Sequence, residues 1–262
     1  MSTLDSLSLE ILFRVFDFIN SPDDPSSSRH HPLNSIAATN RYFDSAAEEY
    51  TRALLKRHAN FAPQKKSKTY SSRRKWLAEI CQFCYKKSKR RSTLWRKLTC
   101  CLACDKKHFP KVTMTNAIKQ YQLSKLDLFT PNRLHPTLPP LAHGEYAVSG
   151  CVATMIYEPD LISRRDYILS QLSSTDRTES QLRKRIRRHD ALTTHMEIGY
   201  SIHRKAWLRS HIPMPRDEVN YPVRPSMRTG ESRDEFVRKT LAYELTTMHV
   251  QGASEDVPIE FD

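Results

Sequence analysis

Five of the chain's six cysteines fall between residues 81 and 104. Cys81-Gln82-Phe83-Cys84 and Cys101-Leu102-Ala103-Cys104 form two C-x-x-C pairs, sixteen residues apart. Each pair can present two thiolates from one tight turn, and a zinc ion takes four soft ligands at about 2.3 Å. Cys81, Cys84, Cys101 and Cys104 are therefore the expected ligands of a Zn2+ ion. With every ligand supplied by protein, no position stays open for water, so the expected role is structural. The basic residues from Lys86 to Lys97 would offset the two surplus negative charges of a four-thiolate centre. Cys100 is an alternative to Cys101 that breaks the two-residue spacing, and His108 is a further alternative ligand. Cys151 stands alone and reads as a small buried apolar residue.

Little else suggests catalysis. There are only five glycines, no Gly-rich phosphate loop, no G-x-S-x-G and no H-E-x-x-H. The eleven histidines are scattered, so no enzyme activity is expected. Lys and Arg number 42 against 29 acids, a net charge of +13, which favours acidic partners. Basic clusters lie at Lys65–Lys68 with Arg73–Lys75, at Lys86–Arg91 and at Arg183–Arg188. Lys89, Arg90, Arg91, Arg185 and Arg187 are the candidate phosphate contacts, with Trp95 as an aromatic that could stack on a base. No apolar run approaches the roughly 18 residues of a membrane span, so no membrane partner is expected. The opening Met1–Asp5 lacks the basic start of a secretory signal, which points to nucleus or cytoplasm, where thiols stay reduced.

The elements that must position these groups follow from apolar spacing. Leu12, Val15, Phe16 and Ile19 mark a helix over 5–20, widened by Ile11 and Phe18. A polar, Pro- and Ser-rich loop follows at 21–28. Leu33 to Leu55 read as two helices split near Thr39-Asn40. After the cysteines, a helix begins near Thr115 and closes with Leu123, Leu126 and Leu128, and the prolines of 131–140 read as a linker. Tyr146–Val148 and Val152–Tyr157 predict a hairpin across Gly150. Asp160 is placed as the cap of the next helix, 178–208 reads as helical and basic, and Phe236 to Leu245 mark a last helix. The expected fold is mainly α with a small zinc-bound element. It has a three-helix module at 1–60, a four-cysteine segment at 76–130, and an α+β region with a short hairpin and C-terminal helices at 141–262.

Two segments resemble known families. Leu7-Ser8-Leu9-Glu10-Ile11-Leu12-Phe13-Arg14-Val15-Phe16 resembles the opening of an F-box, with Ser8 where the family usually has proline. Leu33, Ile36, Ala37, Asn40, Arg41 and Phe43 resemble its second half, across a lengthened loop. The resemblance implies a three-helix module that docks on the Skp adaptor of Skp–cullin–F-box ubiquitin ligases. Leu7, Glu10, Ile11, Leu12, Val15, Phe16 and Ile36 would then be its docking or packing positions. Val112-Thr113-Met114-Thr115-Asn116-Ala117, with Tyr121-Gln122-Leu123 and Asp127-Leu128, resembles the helix after the second knuckle of the xeroderma pigmentosum group A repair proteins. It implies that Thr115 caps this helix and that Ala117, Tyr121 and Leu123 pack it near the zinc. The resemblances together imply an adaptor that recruits an unknown protein substrate. The alternative is a zinc protein of repair type that binds nucleic acid.

Overall fold

The computed structural model describes residues 7–19, 31–61, 71–148, 150–209 and 225–248. The Ser-rich loop at 21–28 and the basic cluster Lys65–Lys68 lie outside these residues. The chain forms two compact units, Met1–Pro110 and Lys111–Asp262. The segment 76–130, expected as one zinc-binding piece, is thus divided after Pro110.

The first unit is built on helices α1 (Leu9–Ile19), α2 (Pro32–Ala37), α3 (Arg41–Ala59) and α4 (Ser72–Glu79). Asn40 ends the α2 turn and caps α3, its side-chain oxygen accepting from Phe43 N at 2.8 Å. This is the split expected at Thr39-Asn40. The helices close on Leu12, Phe16, Leu33, Leu55, Trp76 and Ile80, all buried in one cluster. Tyr50 packs between Phe13 and Phe16, each ring centroid 5.4 Å away, and its hydroxyl donates to Asp17 at 2.6 Å. Glu48 on α3 accepts from Ser71 Oγ at 2.6 Å and from Ser72 N at 2.7 Å. A carboxylate from another helix thereby satisfies free N–H groups at the start of α4. Ser71 is the α4 cap, its hydroxyl accepting from Arg74 N at 3.1 Å. A final short helix, α5 (Leu102–His108), carries the second cysteine pair.

The second unit opens with β1 (Lys111–Thr113), α6 (Met114–Tyr121) and α7 (Lys125–Leu128). Thr113, not Thr115, caps α6, accepting from Asn116 N at 3.2 Å. Ala117 and Leu123 are buried in the second unit's own core. The hairpin β2 (His143–Val148) and β3 (Cys151–Tyr157) turns at Gly150, whose φ of +81° lies in the region glycine favours. β3 pairs antiparallel with β1 as well, giving the order β1-β3-β2.

Helix α8 (Glu158–Gln171) starts two residues before Asp160, whose carboxylate instead accepts from Ala142 N at 3.3 Å. Helix α9 (Glu179–His195) ends well short of 208. A second hairpin follows, β4 (Ile198–Ser201) and β5 (Ala206–Arg209), with its turn at Lys205 in a left-handed conformation. Helix α10 (Gly230–Thr247) is the last element, opened by a Thr229–Ser232 capping box. The described residues are thus mostly helical, with two small antiparallel sheets. The 131–140 stretch is packed, not a linker: Leu134 and His135 are buried. Cys151 is exposed, because β3 leaves the core at that end.

Candidate metal centre

The first cysteine pair sits on a turn that its neighbours close. Ile80 and Lys87 form an antiparallel bridge, Cys81 N donates to Lys86 O at 2.9 Å, and Tyr85 N donates to Cys81 O at 3.0 Å. Gln82 N donates to Thr99 O at 3.0 Å, which ties this turn to the strand-like run before the second pair. Cys101 caps α5 and Cys104 lies in its first turn, so one helix start presents both thiols. Between the pairs, Arg90 donates to Asp105 at 2.8 Å, and Ser92 Oγ donates to the same carboxylate at 2.8 Å. Asp105 is fully buried, and these partners offset the cost of burying its charge. Arg90 is therefore a strut that fixes the connecting loop to α5.

These constraints bring the Sγ atoms of Cys81, Cys84, Cys101 and Cys104 within 4.8 Å of one another. All four are free thiols. Cys84 and Cys101 Sγ lie 3.7 Å apart. A tetrahedral site with ~2.3 Å metal–sulfur bonds has sulfur–sulfur edges of ~3.8 Å, so the group fits a four-thiolate ion. Burial pushes the Cys81 thiol up, but backbone N–H groups of Cys101, Cys84 and Phe83 outweigh it and bring it down to about 7. Burial and neighbouring thiols push Cys104 up. A cation among them would let all four ionise together. Cys100 is buried beside the group, its thiol directed to Cys101 O at 3.5 Å, and Cys101 supplies the third ligand atom. His108 stacks on Phe83 with centroids 4.2 Å apart and lies outside the group.

No family model, curated protein or solved structure matches this chain.

The other sequence-selected residues separate. Leu12 and Phe16 are core, and Leu7 and Ile36 pack against it half-buried, while Glu10, Ile11 and Val15 are exposed. Of the candidate phosphate contacts, Lys89 and Arg187 are exposed. Arg91 is spent on Leu77 O, Lys97 O and Thr99 Oγ1. Arg185 is a correction: it is buried, making two 2.8 Å bonds to Asp127 and one of 3.1 Å to Glu244. Trp95 packs on Phe109, with centroids 4.5 Å apart.

Composition concealed this ionic core of the second unit. Asp127 also takes His135 Nε2 at 2.9 Å and Ser124 N and Oγ at 2.8 Å each. Arg188 meets Glu244 at 2.8 Å. His189 lies 2.6 Å from Ser124 Oγ, and its Nε2 is 3.1 Å from Glu244 Oε2. Burial favours neutral carboxyls, but Arg185 and His135 hold Asp127 well below its ordinary value. Likewise His189, Arg185 and Arg188 overcome burial and bring Glu244 down to about 2. Burial and Arg185 push His189 down. The Ser124–His189–Glu244 order resembles a hydrolytic triad, yet all three are buried and Ser124 Oγ is committed to Asp127. The sequence signal was the spacing of Arg185 and His189, one turn apart on the buried face of α9.

Proposed function

We propose that the chain is a substrate-recruiting subunit of a Skp–cullin–F-box ubiquitin ligase, docking through α1 and carrying a structural Zn2+ on its four cysteines. The observation that supports this is a second apolar face on α1. Leu12 and Phe16 are buried, yet Ile11, Val15 and Phe18, at i, i+4 and i+7, remain exposed, Phe18 at 83%. A helix that has already filled its core face gains nothing within the monomer from a second one, and such patches mark partner surfaces. An apolar helical stripe suits the helix-in-groove mode of recognition.

Ile11→Glu combined with Phe18→Glu tests this. Both side chains are exposed, so helicity and metal content should stay at the unsubstituted level. Affinity for a Skp adaptor should fall at least about 100-fold, as expected for losing two buried anchors. Adaptor binding equal to that of the unsubstituted chain would sink the assignment. Phe16 is unsuitable for this test because a charge there would open the core.

Nucleic-acid binding through the metal segment is the second reading, favoured by the exposed Lys86, Lys87, Lys89, Lys106 and Lys107. Its signature is DNA affinity that falls steeply with salt and falls again when Lys87 and Lys89 become Glu.

A further inference from the structure

The second unit contains a trough of about 810 Å³, walled by α9, α10, the 131–136 loop and the β4–β5 ribbon. That volume sits in the upper part of the ~300–1,000 Å³ span of ligand sites. Its floor is apolar, with Leu192, Val237 and Leu241 among its residues.

The ribbon shows what shape of ligand fits. Ile198 faces Arg209 and Tyr200 faces Trp207 across the ladder, so these four share one face. All four line the trough. Ala206 and Leu208 belong to the opposite face by alternation, yet they line it too. A cavity that touches consecutive residues of a strand runs along its edge as well as over its face. Among the described residues β5 has β4 on one side and no strand on the other. The trough therefore presents a strand edge, which offers backbone donors and acceptors to an extended chain.

Charge selects the chemistry of that chain. Arg133, Lys205 and Arg209 are exposed at the trough and have no acidic partner among the described residues. Arg233 is held by Glu197, and Asp234 is the remaining acid at the wall. Three unpaired cations against one unpaired acid favour an anionic ligand.

We propose that this trough is the substrate-binding site and takes an extended acidic peptide: an apolar side chain seats on the floor while flanking Asp or Glu meets Lys205, Arg209 and Arg133. The proposal rests on reading the chain as a recruiting subunit, and it specifies the kind of segment recruited.

The test is selection of phage-displayed random octapeptides on the full chain bound to zinc. Enriched peptides should carry an apolar residue next to Asp or Glu. Synthetic copies should bind roughly tenfold or more weakly to Lys205→Glu/Arg209→Glu, and more weakly still at high salt. Both positions are exposed, so this variant keeps its fold, which circular dichroism verifies. The Ile11→Glu/Phe18→Glu chain should bind the peptides as well as the unsubstituted one. No enrichment, enrichment of basic sequences, or equal binding to the charge-reversed variant would each overturn the proposal. Adaptor binding without peptide binding refutes only this site. Peptide binding without adaptor binding refutes only the ligase role.

Discussion

Replacing Arg185 by Met tests whether the second unit is organised around a buried ionic core. Arg185 is 3% exposed, and its guanidinium makes two 2.8 Å bonds to Asp127 and one of 3.1 Å to Glu244. Breaking a buried ion pair by removing one partner costs about 3–5 kcal/mol. The lower end applies, because Asp127 keeps His135 and Ser124, and Glu244 keeps Arg188 and His189. A loss of about 3 kcal/mol is a large share of the ~5–15 kcal/mol that holds a domain folded. Arg187, two residues on, is exposed, and Arg187→Met should change stability by less than about 0.5 kcal/mol. Hydrogen exchange resolves the two units, which need not unfold together. Amides of α9 and α10 should exchange roughly 100-fold faster in Arg185→Met, from about 1.4 kcal/mol per decade, and should barely change in Arg187→Met. Asp127→Asn added to Arg185→Met should recover part of the loss by removing an under-compensated charge. Arg185→Met exchanging within threefold of the unsubstituted protein would refute the reasoning, as would an equal effect at Arg187.

The metal centre distinguishes two adjacent cysteines: Cys100→Ser should retain one zinc per chain by elemental analysis, whereas Cys101→Ser should lose it and loosen residues 81–104 in exchange measurements. Chelation of the unsubstituted chain should loosen the same residues while α9 and α10 keep their protection. His31 caps α2 by accepting from Leu33 N, and burial lowers its pKa to about 4. The unfolded chain takes up that proton below about pH 6.5 and the folded chain does not, so stability is lost as pH falls from about 6.5 to 4. The loss should reach about 2–3 kcal/mol by pH 4.5, read as a falling urea midpoint, and His31→Asn should flatten that slope. Glu244 adds a lower window: its depressed pKa contributes stability above about pH 4.3 that disappears as pH drops towards 2.

Much of the first unit was legible because its signals are local. The helical period of Leu12, Phe16 and Ile19, the Asn40 cap and the C-x-x-C spacing are each decided within a few residues. What misled there was facing: Leu12 and Phe16 form the core, and Phe18 is left outside. In the second unit, long-range pairing overrode local composition. Arg185 reads as one more cation in a basic run, and only Asp127 and Glu244, each more than fifty residues away in sequence, make it core. The β4–β5 hairpin was hidden because its turn uses Lys205 in a left-handed conformation where glycine or asparagine would have announced it. Thr113 was passed over because β1 ends at that residue, which serves as both the last strand position and the cap.

The most direct measurement is co-expression of the full chain with a Skp adaptor, followed by size-exclusion chromatography with zinc quantified in the same peak. A one-to-one complex with one zinc per chain, lost on Ile11→Glu/Phe18→Glu while the zinc remains, is the result expected of an adaptor that docks through α1. A folded, zinc-loaded chain that elutes apart from the adaptor would contradict it, and would leave the exposed face of α1 to another partner.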